Sequence, residues 1–511
     1  MLNRNRGKQE KFITTTLEQL MPEKHFLRDL DKYVSFTFVY EKVKYLYAAT
    51  GRPSIDPVAL IKMLLLGFLY GIDSERKLVR EIEVNIAYRW FLGIDLDESV
   101  PDHSTISQTR RRKWKGTNIF EDIFSEIVKR CIDAGLVDGS LILTDTTHIK
   151  ANVSNRKREV VVVTLEPRDY IKKLEELCEE EDVRIRAERS ARGLKKCGPK
   201  PDKSIKTYEV ERSLTDPDCG ILNRPGKPTG FHYLVHQSTD SESGIITDVF
   251  VTPANTEDFD PYVGRINHQI NAFGFPVSEV GVDGAYDKEE IHKEMYDLGI
   301  KVYTPLVNAE KQRHSSRYSI NEFKFDDEKN IYICPNGCNL KYSHVSISKR
   351  KKIYRASQID CKICPNRDKC IGVTAGARAL SVSFFEAEVI YQRSNFGTNR
   401  YYEVQRRRRI LCEGNFALQK DNHNLRRTRK RGNENVTEHC LCSALALNLK
   451  RLVKYLKHKG DFHDLVRCYG ILSPFAKRIW PNPNPLRFLS PFVNTLNYSA
   501  RFSGKPSFLY S

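Results

Sequence analysis

Three carboxylates stand where their chemistry is hard to ignore. Asp145 follows the apolar run Leu141-Ile142-Leu143 in GSLILTDTTHIKANVS, and Asp283 follows another short apolar run in VSEVGVDGAYD. Ligand sites in open α/β sheets form at the carboxyl ends of strands, so two such aspartates on neighbouring strands could face one site. Glu413 lies in RRRRILCEGNFALQK, after Arg406 to Arg409 and before Lys420, Arg426 and Arg427. A carboxylate in that stretch would repel the phosphate its neighbours attract, unless it holds a cation that meets the phosphate instead. Three carboxylates suit Mg²⁺, a hard ion held by oxygen. Two such ions, about 3.5–4 Å apart, activate an attacking oxygen and steady a leaving one, with no histidine base required; Mn²⁺ can substitute. Arg409, Glu413 and Lys420 are spaced by four and then seven residues. At about 100° per residue they fall within roughly 40° on an α-helix, a face of cation, anion and cation. The plainer alternatives are that aspartates after strands cap turns and that the charged face is a solvated helix with an i,i+4 ion pair.

Five of the 13 cysteines cluster in ICPNGC and CKICPNRDKC, as Cys334, Cys338, Cys361, Cys364 and Cys370. Cys361-x2-Cys364 directs two thiolates to one point. Cys334 with either Cys370 or Cys338 would complete a tetrahedral zinc site; an iron–sulfur cluster is the less favoured alternative. The metal is expected to fold a small insertion that lacks a hydrophobic core of its own. His148, just past Asp145, is within reach of the acidic site, whereas His232, His236 and His423 are read as structural.

The elements that must position these groups divide the 511 residues as follows. Residues 1–135 are helical. Asp56 caps a helix with Pro57 at its first position, Ser74 caps ERKLVREIEVNIAYRWF, and Ser104 caps TISQTRRRKW, which carries Arg110, Arg111 and Arg112. Short helices ending in a basic one suit a helix-turn-helix-like DNA-binding module. Residues 136–305 alternate strand, hairpin, helix and strand, an α/β order with a mixed sheet, interrupted by a charged insertion at 165–212. Residues 306–384 hold the cysteines, 385–455 turn helical again around Glu413, and 456–511 form a tail rich in proline and aromatics.

The formal charge of +18 favours an acidic polymer, nucleic acid before membrane. MLNRNRGKQEK has no apolar core and is no secretory signal. VALIKMLLLGFLY is too short for a bilayer, which needs about 20 residues. A reducing, cytoplasmic and nucleoid-associated location is expected.

These stretches resemble the DDE-type insertion-sequence transposases, in the branch with a helical N-terminal domain and a cysteine-bearing insertion. The likeness rests on GRPSIDPVALIKMLLLGFLYGIDSERKLVREIEVNIAYRWFLGI with VPDHSTISQTRRR, on LTDTTHIKAN, on GFHYLVHQSTDSESGIITDVFVTPANTED leading to VGVDGAYD, and on the R-x3-E-x6-K spacing at Arg409, Glu413 and Lys420; it covers about residues 40–455. Where the family has a tyrosine three residues before that arginine, this chain has Arg406. The resemblance implies an RNase H-like catalytic core, a mixed sheet with flanking helices, joined to the all-α N-terminal domain and the cysteine-rich insertion. It implies Asp145, Asp283 and Glu413 as holders of two Mg²⁺ ions, phosphodiester hydrolysis at the element's ends, and attack of the freed 3′-OH on target DNA. Arg406, Arg409, Lys420, Arg426 and Arg427 would contact DNA phosphates, with Arg110, Arg111 and Arg112 in the domain that reads the terminal inverted repeats. The matching cysteines are Cys334, Cys361, Cys364 and Cys370, with Cys338 extra. Pairing two ends implies a homodimer or higher oligomer. A catalytically inactive DNA-binding relative and a structure-specific nuclease with the same core are the alternatives.

Overall fold

The computed structural model describes residues 14–476 apart from 49, 51–53, 165–168, 194–206, 308–316 and 373, with side chains omitted also at 321 and past 459. Among the described residues, those up to Val453 form one compact unit and those from Lys454 a second. The tail boundary expected at 455 falls inside a helix, Asn433–Ala476; residues 477–511 lie outside the described residues.

The N-terminal part is helical to Asp133. Asp56 accepts a hydrogen bond from the Val58 amide (2.9 Å) ahead of Pro57, starting the buried helix Pro57–Leu69 as its cap chemistry requires. The next basic helix begins differently from expectation. Asp102, not Ser104, is its cap, accepting from the Ser104 amide (2.8 Å). The helix His103–Thr109 then widens into a π-turn over Arg110–Trp114.

The second layer is a mixed sheet. Its long strand β1 (Leu141–Lys150) is followed by a two-stranded ribbon of β2 (Arg158–Thr164) and β3 (Thr207–Ser213), then β4 (Gly220–Leu222), β5 (Gly230–Asp240), β6 (Ile246–Pro253), β7 (Glu279–Gly281) and β8 (Lys301–Tyr303). The charged insertion at 165–212 holds the helix Asp169–Ala191, and its end is the strand β3 paired with β2. The central sheet runs β4-β5-β1-β7-β8, with β6 also on β5. β1 pairs antiparallel with β5, and parallel with β7. The β5–β6 turn is organised by Asp240, whose carboxylate accepts from the amides of Glu242 (3.1 Å) and Ser243 (3.0 Å).

The cysteine-bearing segment corrects one expectation. It has a core of its own: β9 (Lys324–Asp326), β10 (Ile331–Ile333), β11 (Asn339–Ser346), β12 (Lys351–Ala356) and β13 (Ala379–Val382) form an antiparallel sheet. Phe323, Tyr332, Leu340, Tyr354, Leu380 and Val382 are buried together against it. Tyr332 and Tyr354 meet edge to face at 4.9 Å, a favoured aromatic geometry.

Candidate active site

Leu143 on β1 is in register with Gly281 on β7. Two residues further on, Asp145 lies inside β1 and Asp283 just past the end of β7, on parallel neighbours about 4.8 Å apart, so the expectation that both aspartates stand at strand ends holds for Asp283 alone. The Asp145 Oδ1 accepts from the Thr146 amide (2.9 Å). Asp283 also caps the short turn that follows, accepting from the Ala285 amide (2.9 Å), while Thr304 donates to its carbonyl (2.7 Å). Turn capping and exposure to the site thus coexist in one residue.

Glu413 is brought to the sheet by two helices. Asn399–Arg408 packs through Tyr401 and Val404 onto Leu141, Leu143 and Tyr303. Gln405 donates to the carbonyls of Val282 (2.9 Å) and Tyr303 (2.8 Å), pinning that helix across the ends of β7 and β8. A Cβ at Gly281 would lie 2.5 Å from a Val404 methyl, so glycine is what allows the approach. The second helix, Gly414–Asn422, is tied to β5 by reciprocal amide bonds between Gln419 and Gln237 (3.0 and 2.8 Å) and by Asn415 to the Gly244 carbonyl (3.0 Å).

Between them Arg409–Glu413 is a π-turn. A π-turn closes on residue i+5, so the α-helical face argument for Arg409 and Glu413 does not hold across it. Arg408, five residues before Glu413, is the arginine that turns inward. Its side chain is 11% exposed and its guanidinium meets Asp145 at 3.2 Å, with Nε donating to Gln405 (3.1 Å). Arg406 and Arg409 are exposed. The run of four arginines gives no sign of which one faces the carboxylates, because nothing in the residue types marks a π-turn.

Burial pushes the Asp145 carboxyl up to about 6; Arg408 opposes this, and Asp283 and Glu413 add to it. Burial also raises Asp283, with Arg408 again opposing. Asp258 adds to the rise of Asp283 and Arg224 opposes it, so the carboxylates around the two aspartates outnumber the guanidiniums. Among the described residues no three carboxylate, histidine or cysteine side chains already form a metal cage. The donor set nonetheless fits hard divalent ions: all oxygen, partly desolvated and in excess of its cation partner.

Lys420 donates to the Thr147 hydroxyl (2.6 Å), two residues along β1 from Asp145. Arg426 is exposed and ion-paired with Asp421. Arg427 is exposed, at a parallel bridge to Lys150. Arg111 and Arg112 are exposed, and Arg111 helps line a cleft of about 1000 Å³ together with Arg76, Lys115 and Arg431. Arg110 is a correction to the expected DNA contacts: it is 12% exposed and held between Glu75 (2.9 Å) and Glu438 (2.8 Å).

All five clustered cysteines line one cavity of about 20 Å³. The Cys338 amide points to the Cys334 sulfur (3.2 Å). Burial raises the Cys370 thiol; Arg378 opposes, while Cys361, Cys334 and Cys364 add to the rise. The five thiols thus share one small space, although among the described residues no three of them are placed as a group that could hold a metal ion.

Residues 15–112 match the family described as a transposase domain (DUF772), and residues 333–453 match the transposase DDE domain. No curated protein matches the sequence. Among solved structures, the chain is similar to a piggyBac transposase synaptic complex with hairpin DNA at 10% identity, covering 97% of this chain and 86% of that one with a TM-score of 0.31. It is also similar to the Mos1 mariner paired end complex with Mn at 10% identity, covering 55% and 72% with a TM-score of 0.16. Likeness at this level carries no argument about the site. No helix among the described residues is long and apolar enough to cross a membrane.

Proposed function

We propose that the chain, whose residues 15–112 and 333–453 match transposase domains, is a DDE-type insertion-sequence transposase that cuts phosphodiester bonds at the ends of its element and joins the 3′-OH ends to target DNA, using Asp145, Asp283 and Glu413 to hold two Mg²⁺ ions. What supports this reading is the placement of Asp145 and Asp283 on adjacent parallel strands, with Glu413 near enough to act electrostatically on Asp145. The strand order, with β1 antiparallel to β5 and parallel to β7, supports an RNase H-like core. When bound, the ions would activate the attacking oxygen and neutralise charge on the leaving one. The chain's own residues do the rest. β1 and β7 fix the two aspartates, the π-turn presents Glu413, and Arg408 balances part of their charge until the ions enter. Lys420 beside Thr147, with exposed Arg406, Arg409, Arg426 and Arg427, would hold DNA phosphates near the scissile bond; such contacts position a strand without reading its sequence. The N-terminal helices with Arg111 and Arg112 would read the terminal repeats, and a homodimer or higher oligomer would pair two ends. Cys334, Cys361, Cys364 and Cys370 would hold a structural Zn²⁺.

The test is to incubate the full chain and Mg²⁺ with labelled duplex taken from the DNA flanking its own coding sequence. Cleaved ends joined to a second duplex are expected. Retarded DNA without nicks would make the chain a binder only, and nicks without joining a nuclease; either overturns the proposal.

A further inference from the structure

Beyond Asp145, at the far end of β1, lies a cavity of about 320 Å³ walled by His148, Lys150, Asn155, His232, Lys420 and Arg426, with the backbone of residues 228–231. No carboxylate is among its walls; Asp421 meets Arg426 at the edge. Three cationic side chains therefore converge on one half-enclosed space without an internal counter-charge. Their neighbours register that crowding. The Lys420 ammonium is held below its ordinary value by burial, then by Lys227 and Arg426. The His148 imidazole is lowered to about 4 by burial, then by Lys420, His232, Lys227 and Arg224.

The pocket is held by backbone as well as by charge. The segment after the Lys420 helix lies along the end of β1, with the Thr428 amide donating to the Lys150 carbonyl (3.2 Å). This fixes Arg426 beside Lys150. His148 and His232 meet edge to face at 5.3 Å, and His232 shares a bond with the Gly230 carbonyl (3.0 Å). A Cβ at Gly230 would come within 3.3 Å of the Asn155 amide, at a backbone φ of +146°, so glycine keeps this wall open.

We propose that this cavity binds a backbone phosphate of the DNA strand that runs through the active site, with Lys150 as a dedicated contact beside Lys420 and Arg426. The proposal rests on the reading of Asp145 as a catalytic carboxylate, because Lys420 bridges the two places: its ammonium sits on Thr147, about 7 Å of strand rise from Asp145. An anion in the cavity would relieve the positive crowding there. It would also fix the strand at a point just outside the reacting phosphate, so that the scissile bond is held from one side by β1 itself.

The experiment measures binding of the full chain to a labelled duplex over a salt series, comparing wild type with Lys150→Gln and Lys150→Arg. Each phosphate neutralised on B-DNA contributes about 0.9 to the slope of log K against log salt. Lys150→Gln is expected to weaken binding several-fold on any sequence and to lower the slope by about 1, while Lys150→Arg keeps the slope. An unchanged slope in Lys150→Gln overturns the proposal, and does so even where inorganic phosphate raises the melting temperature of the wild type, since that would mark a site for the free anion and not for a strand. Asp145→Asn separates the two readings. If it abolishes cleavage while Lys150→Gln leaves the slope intact, the active site stands and the phosphate pocket falls. If Lys150→Gln lowers the slope but wild type never cuts, the pocket stands and the catalytic reading falls.

Discussion

The chain contains two arginine runs that pass through π-turns, at Arg110–Trp114 and Arg409–Glu413, and each sends one arginine inward. Arg110 meets Glu75 and Glu438, and Lys430 joins the same cluster at Glu75 (2.8 Å), two cations for two carboxylates. Arg408 meets Asp145, with Asp283 and Glu413 acting on the same group and Arg224 and Asp258 acting on Asp283, two cations for four carboxylates. The consequences run in opposite directions. Burial works against the Glu75 carboxylate, but Arg110 and Lys430 outweigh it and hold its pKa below the ordinary value. Burial wins at Asp145 and Asp283, which are raised. A buried cluster that closes its own charge is a latch, here between the N-terminal helices and the Asn433 helix. A buried cluster left with excess negative charge is a seat for cations. Glu438, at 7% exposure, is the one latch member that burial raises, so the latch depends on its arginine.

The largest difference should appear on removal of one charged group from each cluster. Asp145→Asn, Asp283→Asn and Glu413→Gln are each expected to lower DNA cleavage by on the order of 10⁴-fold, with duplex binding unchanged in a mobility-shift assay. Arg110→Ala is expected to leave two buried carboxylates short of a partner and to cost about 3–5 kcal/mol of stability, measured by denaturant unfolding. If Arg110→Ala instead leaves stability intact and weakens DNA binding alone, the latch reading is wrong and Arg110 is a DNA contact after all.

A subtler contrast lies in pH. The Asp145 folded pKa of about 6 stands above its unfolded value of 3.8. The folded state therefore binds the proton more tightly, and stability is lost as pH rises from about 4 to 6, then stays level. The full cost is about 3 kcal/mol, from a little over two pKa units at 1.36 kcal/mol each. Metal-free Asp145→Asn should match wild type near pH 4 and exceed it in melting temperature above pH 6, and saturating Mg²⁺ should narrow the gap by stabilising wild type alone. Glu75 has the opposite sign: its contribution is present above its unfolded value and is lost on acidification. Equal melting temperatures for Asp145→Asn and wild type at pH 7.5 without metal would remove the excess-charge argument.

Much of this was open to reading from residue types. The Asp56-Pro57 start, the strand, hairpin, helix and strand order and Asp283 after a short strand all follow from local rules that tertiary packing did not override, whereas Asp145 lies within a ten-residue strand. The failures share a cause. The core of the cysteine segment is built from short strands contributing one or two buried apolar residues apiece, so no single window shows it. Both π-turns shift the helical register by a residue, which moved the inward role from Arg409 to Arg408 and buried Arg110. The cationic pocket joins Lys150 to Lys420 across 270 positions of sequence, and only the packing of the Lys420 helix on β5, with the segment after it laid along β1, brings them together.

The smallest expected effect is also the one that best separates stability from positioning. Gly281→Ala places a methyl 2.5 Å from Val404 and 2.8 Å from Leu143, closer than carbon atoms approach. The valine is stiff and both neighbours are fully buried, so the helix carrying Arg408 toward Glu413 must give way instead. Overpacking of this kind costs about 1–3 kcal/mol, which a fold of this size should survive. A shift of that helix moves Glu413 and Arg408 relative to two aspartates that stay fixed on β1 and β7. Cleavage should therefore fall further than the unfolding curve accounts for, while duplex binding and its salt slope hold. Losses of cleavage and stability that track each other across temperature would mean that Gly281 serves only the packing, and that the π-turn adjusts to keep Glu413 in place.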